Sequence, residues 1–364
     1  MNNILITGAC GVTSRTLARS LRKSEHFKNC NLIGTDVCEN LYGIFEGMFD
    51  KIYKVPWQSD SEKYKKIIFN VCEKERIDLA IIATELEVLF WSSRKFPVPT
   101  LLPPSKFCNE VISKYSLYET LKDTKFIPNY EVSDSRGFSE KLSNSSLTFP
   151  MWMRGHDAGS SSGKGAIKVN NFVEIESWFK LNPSIKSFMF SEYLPGRNIA
   201  CLLLYEDGVL IKKGCYERLE YFMAKTTISG ITGNINKGKL INDDNAVRRS
   251  NEAIKYICNK TNEVMSGLVT VDLCGDLNGD YKITEINIRP VAATSAFSEI
   301  DGANFSEAQL LALQDKKDLI VEDVVYPKNN LILRDIDGLP ILLKNFEDIK
   351  EGDYFSNSSF KIES

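Results

Sequence analysis

The sequence predicts an α/β domain followed by an α+β domain, and three observations support that fold class. The chain has 364 residues, which is more than one hydrophobic core usually supports. Before Ser113, apolar strand-like runs alternate with helix-like segments. From Ser113 onward, short strands with turn punctuation are interleaved with helices. We therefore predict three parts, which are residues 1–112, residues 113–319 and a β-containing C-terminal tail over residues 320–364.

The first domain opens with a strand, a turn and a helix. The apolar run ILITGAC ends at a glycine turn, and SRTLARSLRK carries apolar residues at helical spacing. NLIGTD is the second strand, and IDLAIIATE, from Ile77 to Glu85, is the third, after a charged helix around residues 61–75. Repeated strand and helix units of this kind predict a parallel, doubly wound sheet.

The second domain begins with the short helix KYSLYETLKD, which follows Ser113. Further helices are predicted around residues 172–181 and 245–264. The strand-like runs are SLTFPMWMRG, AIKV, SFMFSEYLPG, ACLLLYEDGVLIKKG and GLVTVDLCGDLNGDYKITEINIRP. In the tail, the D-G step of NLILRDIDGLPILL lies between apolar runs and predicts a strand pair.

The composition argues against several classes of protein. Hydrophobic residues make up 43% and charged residues 26%, and no apolar run approaches the ~20 residues that span a bilayer. We therefore expect a soluble protein without a membrane partner. The N-terminus has no basic segment ahead of an apolar stretch, so we expect a cytoplasmic location. A net charge of −3 without a basic stripe argues against nucleic acid as a partner.

Cysteine and histidine spacing argues against a zinc site. The nine cysteines are scattered without a C-x-x-C pair, and the chain has two histidines. Cys10, Cys201 and Cys274 lie in strand-like settings, which favours buried thiols over a disulfide framework. A catalytic Cys–His pair stays an alternative, although neither His26 nor His156 lies in a nucleophile motif.

The strongest chemical signal is a quartet formed by Asp272 and the TEINIRP residues Glu285, Asn287 and Arg289. Alternate residues of a strand share a face, and Asp272 on a hairpin partner strand could join the other three. Carboxylate and amide oxygens suit Mg²⁺, and the arginine could neutralise a phosphoryl group in transfer. The alternative is a salt-bridged surface hairpin.

The second signal is the loop RGHDAGSSSGKGAIKV, from Arg154 to Val169. Gly159, Gly163 and Gly165 permit close backbone approach, and three serines and a lysine add hydrogen-bond donors, so the loop could cradle phosphates. A plain hairpin connection is the alternative. The loop is not a Walker A motif, because Lys164 is followed by glycine instead of serine or threonine.

The order of these features resembles the ATP-grasp ligases, and within them the branch of the carbamoyl phosphate synthetase large subunit. The matching features extend from Lys114 to Arg289, about 175 residues (289 − 114). The resemblance implies a Rossmann-like pre-ATP-grasp domain over residues 1–112. It implies an ATP-grasp domain over residues 113–319, with a lid subdomain at about 113–190.

The resemblance assigns the phosphate contacts. In the family a lysine opens a helix just after the first domain, and a second cation follows an F-P step, which corresponds to Lys114 and Arg154 here. Arginine at the second place is similar to the carbamoyl phosphate synthetases. The lid loop that covers the phosphates would include Gly159, Ser160, Ser161, Ser162 and Gly163.

The resemblance also assigns the nucleoside and metal contacts. The E-x-L-x-G string implies that Glu192, Tyr193 and Leu194 contact the adenine. Asn198 lies where many members have a ribose-binding glutamate. The implied ligands of two Mg²⁺ ions, which Mn²⁺ could replace, are Asp272, Glu285 and Asn287. Arg289 would contact the transferred phosphoryl, and aspartate at the first metal place resembles the D-alanine ligases.

The reaction implied by the resemblance joins a small-molecule carboxylate to an amine. The carboxylate attacks the γ-phosphate of ATP, and the amine displaces phosphate from the resulting acyl phosphate, so ADP and phosphate are the by-products. Arg218 is a candidate for binding the carboxylate, because a guanidinium group pairs with it bidentately. An ordinary ion pair of Arg218 with Glu217 or Glu220 is the alternative. The assembly considered is a homodimer.

Two other functions compete with this interpretation. TGACGVTS followed by a helix resembles a Rossmann start, and Tyr118 and Lys122 have the Y-x-x-x-K spacing of short-chain dehydrogenases, so an NAD(P)-dependent oxidoreductase is one alternative. A catalytically inactive ATP-binding protein is the other. In the ligase interpretation, Gly8, Gly11 and Asp36 could contact a substrate or close a turn.

Overall fold

The computed structural model describes residues 2–155, 165–228, 230, 232–334, 350–356 and 362–363. The helices are α1 (Val12–Arg22), α2 (Ser61–Lys74), α3 (Glu85–Ser92), α4 (Ser105–Val111), α5 (Lys114–Leu121), α6 (Phe138–Ser143), α7 (Phe172–Leu181), α8 (Asp244–Thr261), α9 (Thr294–Phe297) and α10 (Phe305–Leu313). No helix within those ranges is long and apolar enough to cross a membrane.

Sixteen strands are interspersed with these helices in the described part of the chain. They are β1 (Asn3–Thr7), β2 (Asn31–Asp36), β3 (Lys51–Lys54), β4 (Leu79–Ile81), β5 (Tyr130–Asp134), β6 (Met151–Gly155), β7 (Ile167–Val169), β8 (Ser187–Glu192), β9 (Asn198–Glu206), β10 (Val209–Tyr221), β11 (Ile235–Ile241), β12 (Gly267–Gly275), β13 (Tyr281–Asn287), β14 (Ile332–Leu333), β15 (Tyr354–Ser356) and β16 (Ile362–Glu363).

The first sheet has a parallel centre with the strand order β3-β2-β1-β4. Both faces are buried, which explains the continuous apolar run of β1. Ile4 and Ile6 pack in one core with Leu17 of α1, whereas Leu5 packs in the opposite core with Ile68 of α2. The predicted parallel sheet with helices on both faces is confirmed, and with it the mixed α/β class.

The second sheet is antiparallel and has the order β13-β12-β9-β10-β11-β14. Its central strand β9 alternates between two cores, because successive strand residues face opposite sides. Cys201 and Leu203 face Ile254 of α8, and Leu202 faces Phe305 of α10. Burial on both sides accounts for the apolar sequence of β9.

The third sheet, β5-β8-β6-β7, is also antiparallel. The helices α6 and α7 cover it through an aromatic core that includes Phe138, Phe179, Phe188 and Phe190. β6 and β8 belong to this sheet, and their ends supply Arg154 and Glu192 to the site described below.

Most predicted elements are present, but their boundaries differ. The helices predicted around residues 61–75 and 172–181 are α2 and α7. The third predicted strand is shorter than expected, because the Thr84 side chain accepts from the Glu87 backbone N–H and begins α3 there. The strand β3 was not predicted. The D-G step of the tail lies outside the described residues.

The cysteines and the tail depart from the sequence expectation. Cys201 and Cys215 are directly paired in the β9–β10 register and are bonded as a disulfide, where buried thiols were expected. Cys10 and Cys274 are free thiols as expected. The tail divides between two sheets, since β14 pairs with β11 and β15 pairs with β3.

Candidate active site

A cavity of ≈ 660 Å³ lies among the three sheets. Many of its lining residues carry charged or amide side chains that the sequence had singled out. The sequence-predicted residues on its wall are Lys114, Arg154, Glu192, Tyr193, Leu194, Asn198, Arg218, Asp272, Glu285, Asn287 and Arg289. Residues far apart in the chain therefore meet in one place, and the surface-hairpin alternative for the quartet is wrong.

The centre of the cavity is a pair of carboxylates held on adjacent strands. Asp272 of β12 and Glu285 of β13 are direct register partners. Arg218 Nη2 lies 2.6 Å from Asp272 Oδ1, and Lys114 Nζ lies 3.0 Å from Glu285 Oε1. We call this row of alternating charges, Arg218, Asp272, Glu285 and Lys114, the charge row.

The two carboxylates differ in their proton affinity. Burial raises the pKa of Asp272, and it outweighs the opposing effect of the Arg218 charge. Burial also acts to raise the pKa of Glu285, but Lys114 as a charge and hydrogen-bond donor outweighs it and holds that pKa below the usual value. The ionised form of Glu285 is therefore favoured, and it depends on a nearby cation.

The donor set at the carboxylates fits a divalent cation. Asn287 is 8% exposed, lines the cavity and has no side-chain hydrogen bond with any residue that the structure describes. Two carboxylates and an amide oxygen are the hard oxygen ligands that Mg²⁺ prefers. Lys114 and Arg218 now neutralise those carboxylates, so metal binding would release both cations for other anions.

Local structure positions the two predicted phosphate-binding cations. Ser113 caps α5 through a capping box with Ser116, which places Lys114 in the first turn of the helix. Arg154 is 7% exposed, its Nη1 donates to Thr284 O at 3.2 Å, and its guanidinium carbon lies 5.1 Å from the centre of the Tyr118 ring. Its buried Nε has no hydrogen-bond partner among the described residues.

The segment after β8 forms a fixed connection on the cavity wall. Gly196 N donates to Gly275 O at 2.9 Å, and Cys274 Sγ donates to Leu194 O at 3.3 Å. A Cβ on Gly196 would lie 2.6 Å from Gly275 O, so this close approach requires glycine. We call residues 192–196 the connector.

Polar groups at the start of the connector are already engaged. Glu192 accepts from the backbone N–H of Asn129 at 3.0 Å and from its side-chain amide at 2.8 Å. The Lys168 ammonium lies 4.3 Å from the centre of the Tyr193 ring. The predicted adenine contacts of Glu192, Tyr193 and Leu194 stay predictions.

Arg218 and Asn198 have different partners from those expected. The ion pair of Arg218 with Glu217 or Glu220 is not formed; the guanidinium binds Asp272, and its Nη1 donates to Asn198 Oδ1 at 2.8 Å. Asn198 Nδ2 donates to the Tyr221 hydroxyl at 2.8 Å. Asn198 thus orients Arg218, and its oxygen and nitrogen are both used within the protein.

Gly8, Gly11 and Asp36 do not line the cavity. Gly8 has a φ of 64° and lies against Thr84, and Gly11 N donates to Gly8 O at 2.8 Å. The Asp36 carboxylate accepts from Cys10 N at 2.7 Å and from Cys38 N at 2.8 Å. Of the two roles that the sequence left open for these three residues, the contacts are those of turn closure.

The dehydrogenase pair is not assembled. Tyr118 is buried beneath Arg154, with 1% of its surface exposed, whereas Lys122 Nζ pairs with Glu119 at 3.1 Å on the exterior. The carboxylate of Asp36, which would bind a dinucleotide ribose, already accepts two backbone N–H groups. These contacts argue against the oxidoreductase alternative.

Sequence reasoning missed several polar residues of the cavity wall, among them Glu85, Thr13, Lys168 and Arg334. Glu85 belongs to α3 and Thr13 to α1, whereas Lys168 belongs to β7 and Arg334 follows β14. Of these, Lys168 could have been noticed in AIKV, next to the glycine-rich loop. Glu85 was assigned to the end of the third predicted strand, where nothing marked it as a site residue. The predicted lid residues 159–163 lie outside the described residues.

Known structures share this architecture. An L-amino acid ligase from Bacillus licheniformis superposes with a TM-score of 0.60 at 13% identity, over 88% of this chain and 77% of that chain. N5-carboxyaminoimidazole synthetase from Staphylococcus aureus, complexed with ADP, gives 0.62 at 14% identity, over 91% and 80%. A protein described as belonging to the ATP-grasp superfamily, from Archaeoglobus fulgidus, gives 0.52 at 15% identity, over 86% and 88%.

The likeness is one of fold. No protein-family model and no curated protein sequence matches this chain. The similar structures include several ligases and synthetases, and one of them is described by the superfamily name. The chain therefore has the ATP-grasp fold, as the sequence predicted.

Proposed function

We propose that this protein is an ATP-dependent ligase that activates a small-molecule carboxylate as an acyl phosphate and joins it to an amine. The charge row carries the proposal, because two partly buried carboxylates and their cations lie in one cavity with Arg154 and Arg289. Passive nucleotide binding does not require a paired carboxylate site beside unpaired guanidinium groups. Phosphoryl transfer requires both.

Each charged residue has a role in that reaction. Asp272, Glu285 and Asn287 would hold two Mg²⁺ ions, or Mn²⁺, which neutralise phosphate charge when bound. Lys114, released from Glu285, and Arg154, which also lines the cavity, would bind phosphate oxygens.

Arg289 is the residue we assign to the phosphoryl group in transfer. Its Nη1 donates to Pro290 O at 2.9 Å, and no carboxylate of the described residues lies within ion-pair distance of it. Its guanidinium can therefore contact an oxygen that becomes more negative during transfer. Arg218, which Asn198 would still hold after a metal had displaced it from Asp272, is the candidate for binding the carboxylate substrate.

The proposal also includes a division of the chain into domains and a position for the nucleotide. Residues 1–112 would be a Rossmann-like pre-ATP-grasp domain, and residues 113–319 an ATP-grasp domain whose lid covers about 113–190. The adenine would lie at the connector, with its ribose near Asn198. Arginine at position 154 supports the carbamoyl phosphate synthetase-like branch. A cytoplasmic homodimer is the proposed form, without nucleic acid or a membrane as partner.

ADP release is the direct test. Purified protein is incubated with ATP, Mg²⁺ and pairs drawn from a panel of carboxylates and amines, and ADP is measured by an enzyme-coupled assay. We expect ADP only when a carboxylate is present and Mg²⁺ has not been chelated. Nucleotide binding without ADP release from any pair would instead support an inactive ATP-binding protein. Fluorescence titration with NADPH checks the dehydrogenase alternative, for which we expect no binding.

A further inference from the structure

The acidic residues of the cavity wall differ in whether they have partners. Asp272, Glu285 and Glu192 each accept from a cation or an amide. Glu85 also lines the cavity, yet its carboxylate has no hydrogen bond or ion pair with any residue in the described ranges. Burial raises the pKa of Glu85, and the charges of Arg289 and Lys114 act against that rise.

Glu85 is held firmly by the residues around it. It is the first residue of α3, and the Thr84 side chain before it caps the helix. The buried Glu87 accepts from the Tyr64 hydroxyl at 2.6 Å and from Thr84 Oγ1 at 2.7 Å. Gly8 lies directly against Thr84, where a Cβ would be 2.3 Å from Cγ2. The helix start is therefore fixed, and with it the backbone position from which the Glu85 side chain extends.

The position of Glu85 relates it to the reacting end of the cavity. The charged groups that shift the pKa of Glu85 are Arg289, Glu285 and Lys114. Residues of the connector, which is the proposed adenine site, do not contribute to that shift. Glu85 comes from the first domain, whereas those three residues belong to α5 or to β13 and the segment that follows it. Glu85 therefore lines the same cavity as these three residues and comes from a different part of the chain.

We propose that Glu85 binds the ammonium group of the amine substrate, an inference that rests on the ligase function proposed above. An unpaired carboxylate repels ATP and the carboxylate substrate, because like charges in a cavity of low dielectric interact strongly. The amine is the one reactant that arrives with a positive charge. The ammonium group of the substrate would form the ion pair that Glu85 does not form with any described residue of the protein.

In the chemical step, Glu85 only positions the amine and takes no proton from it. The ammonium loses one proton to solvent, and the free amine then attacks the carbonyl carbon of the acyl phosphate. The C–N bond forms, the C–O bond to phosphate breaks, and the departing phosphate takes the second nitrogen proton. Because Glu85 is assigned to amine binding alone, formation of the acyl phosphate does not require it.

Hydroxylamine separates the two half-reactions. It is uncharged near neutral pH and captures an acyl phosphate as a hydroxamate, which iron(III) reveals by colour. We expect Glu85→Gln to retain hydroxamate formation while its KM for the amine rises at least about tenfold, as loss of a charged hydrogen bond implies. Glu85→Asp, which keeps the charge, should lie between the wild type and Glu85→Gln. Glu252→Gln, on the exterior of α8, is the control for the change in net charge.

Each outcome decides the proposal. An unchanged KM for the amine in Glu85→Gln would overturn it. Loss of hydroxamate formation, or a raised Mg²⁺ requirement for it, would make Glu85 part of the first half-reaction and would also overturn it. If the wild type forms no hydroxamate with any carboxylate, the ligase function fails, and ligand-observed NMR with propylammonium against 1-propanol decides the role of Glu85. Preference for the cation in wild type but not in Glu85→Gln supports ammonium binding, and equal preference refutes it.

Discussion

At the scale of single residues, Glu285 combines a structural contact with a proposed chemical role. We expect Glu285→Gln to reduce ADP formation by at least about a hundredfold, because the amide keeps the shape but removes a negative charge from the proposed metal site. Far-ultraviolet circular dichroism should be unchanged. ADP release by the coupled assay is the measurement.

Glu217→Gln is the matched control for that variant. Glu217 is likewise a strand carboxylate paired with cations, since Arg197 Nη2 lies 3.0 Å and Lys239 Nζ 3.1 Å from its Oε2, but it is buried and does not line the cavity. Its substitution should leave ADP formation near the wild-type rate. Wild-type turnover by Glu285→Gln would refute the metal-site assignment.

Arg289 is proposed to act in the transition state, so we expect Arg289→Lys to lose catalysis and retain ATP binding. Lysine keeps the charge but lacks the planar fork that holds two phosphoryl oxygens. The expected change is a fall in kcat of about a hundredfold with a nearly constant dissociation constant for ATP. Calorimetry measures the binding. A parallel loss of ATP affinity would instead make Arg289 a ground-state or structural residue.

A site residue could be predicted from the sequence when a local sequence pattern marks it, and not when its role depends on contacts with residues distant in the chain. Asp272 and Glu285 follow from strand alternation across a short hairpin, which is local. Asn198 was assigned to the ribose, and nothing nearby in the sequence indicates that it holds Arg218. Glu85 could not be recognised, because its distinction is the absence of a partner in the folded cavity.

At the scale of elements, the connector depends on two glycines that touch. We expect Gly196→Ala to lower the free energy of unfolding by about 1–3 kcal/mol, because the new methyl group overlaps the Gly275 backbone. The KM for ATP should rise as well, since the connector would move. Denaturant titration and initial rates measure the two effects.

Gly137→Ala is the control for the connector variant. A Cβ there meets its nearest atoms at 3.8 Å, and its φ of −108° suits alanine. Stability within about 0.5 kcal/mol of the wild type is expected, as for surface substitutions. If Gly196→Ala and Gly137→Ala behave alike, the close approach at the connector does not matter.

Elements with strong periodicity were predictable, and short ones were not. The apolar run of β1 and the helical spacing of α1 identified both. The four residues of β3, KIYK, have lysines at both ends and are too few to show alternation. Its strand character comes from pairing with β2 and β15, which are distant in sequence.

At the scale of the whole molecule, β15 fastens the C-terminal region to the first sheet. The Tyr354 ring centre lies 4.7 Å from that of Tyr53, and Lys51 and Lys74 approach the Tyr354 ring within 5.3 Å and 4.9 Å. We expect Tyr354→Ala to lower the free energy of unfolding by about 2–4 kcal/mol, because a buried aromatic side chain is lost. Denaturant titration followed by fluorescence measures it.

Tyr42→Ala gives the comparison for an aromatic side chain that is 49% exposed, and a much smaller loss is expected. Equal losses for the two variants would mean that β15 does not support the sheet. The sequence indicated a β-containing tail, but not that it divides between two sheets, because strand partners across the whole chain leave no local pattern.

The pairing of β3 with β15 also has a consequence for synthesis. β3 leaves the ribosome long before β15 is made, so the nascent first sheet has an open edge for most of translation. An open edge invites pairing with other chains, and charged side chains discourage it. Lys51 and Lys54, at the two ends of β3, would disfavour pairing with other chains until β15 has been synthesised and pairs with β3. Chains arrested on the ribosome before residue 350 should be cleaved near β3 by added protease faster than released chains. Equal cleavage would argue against an unpaired β3 edge in the nascent chain.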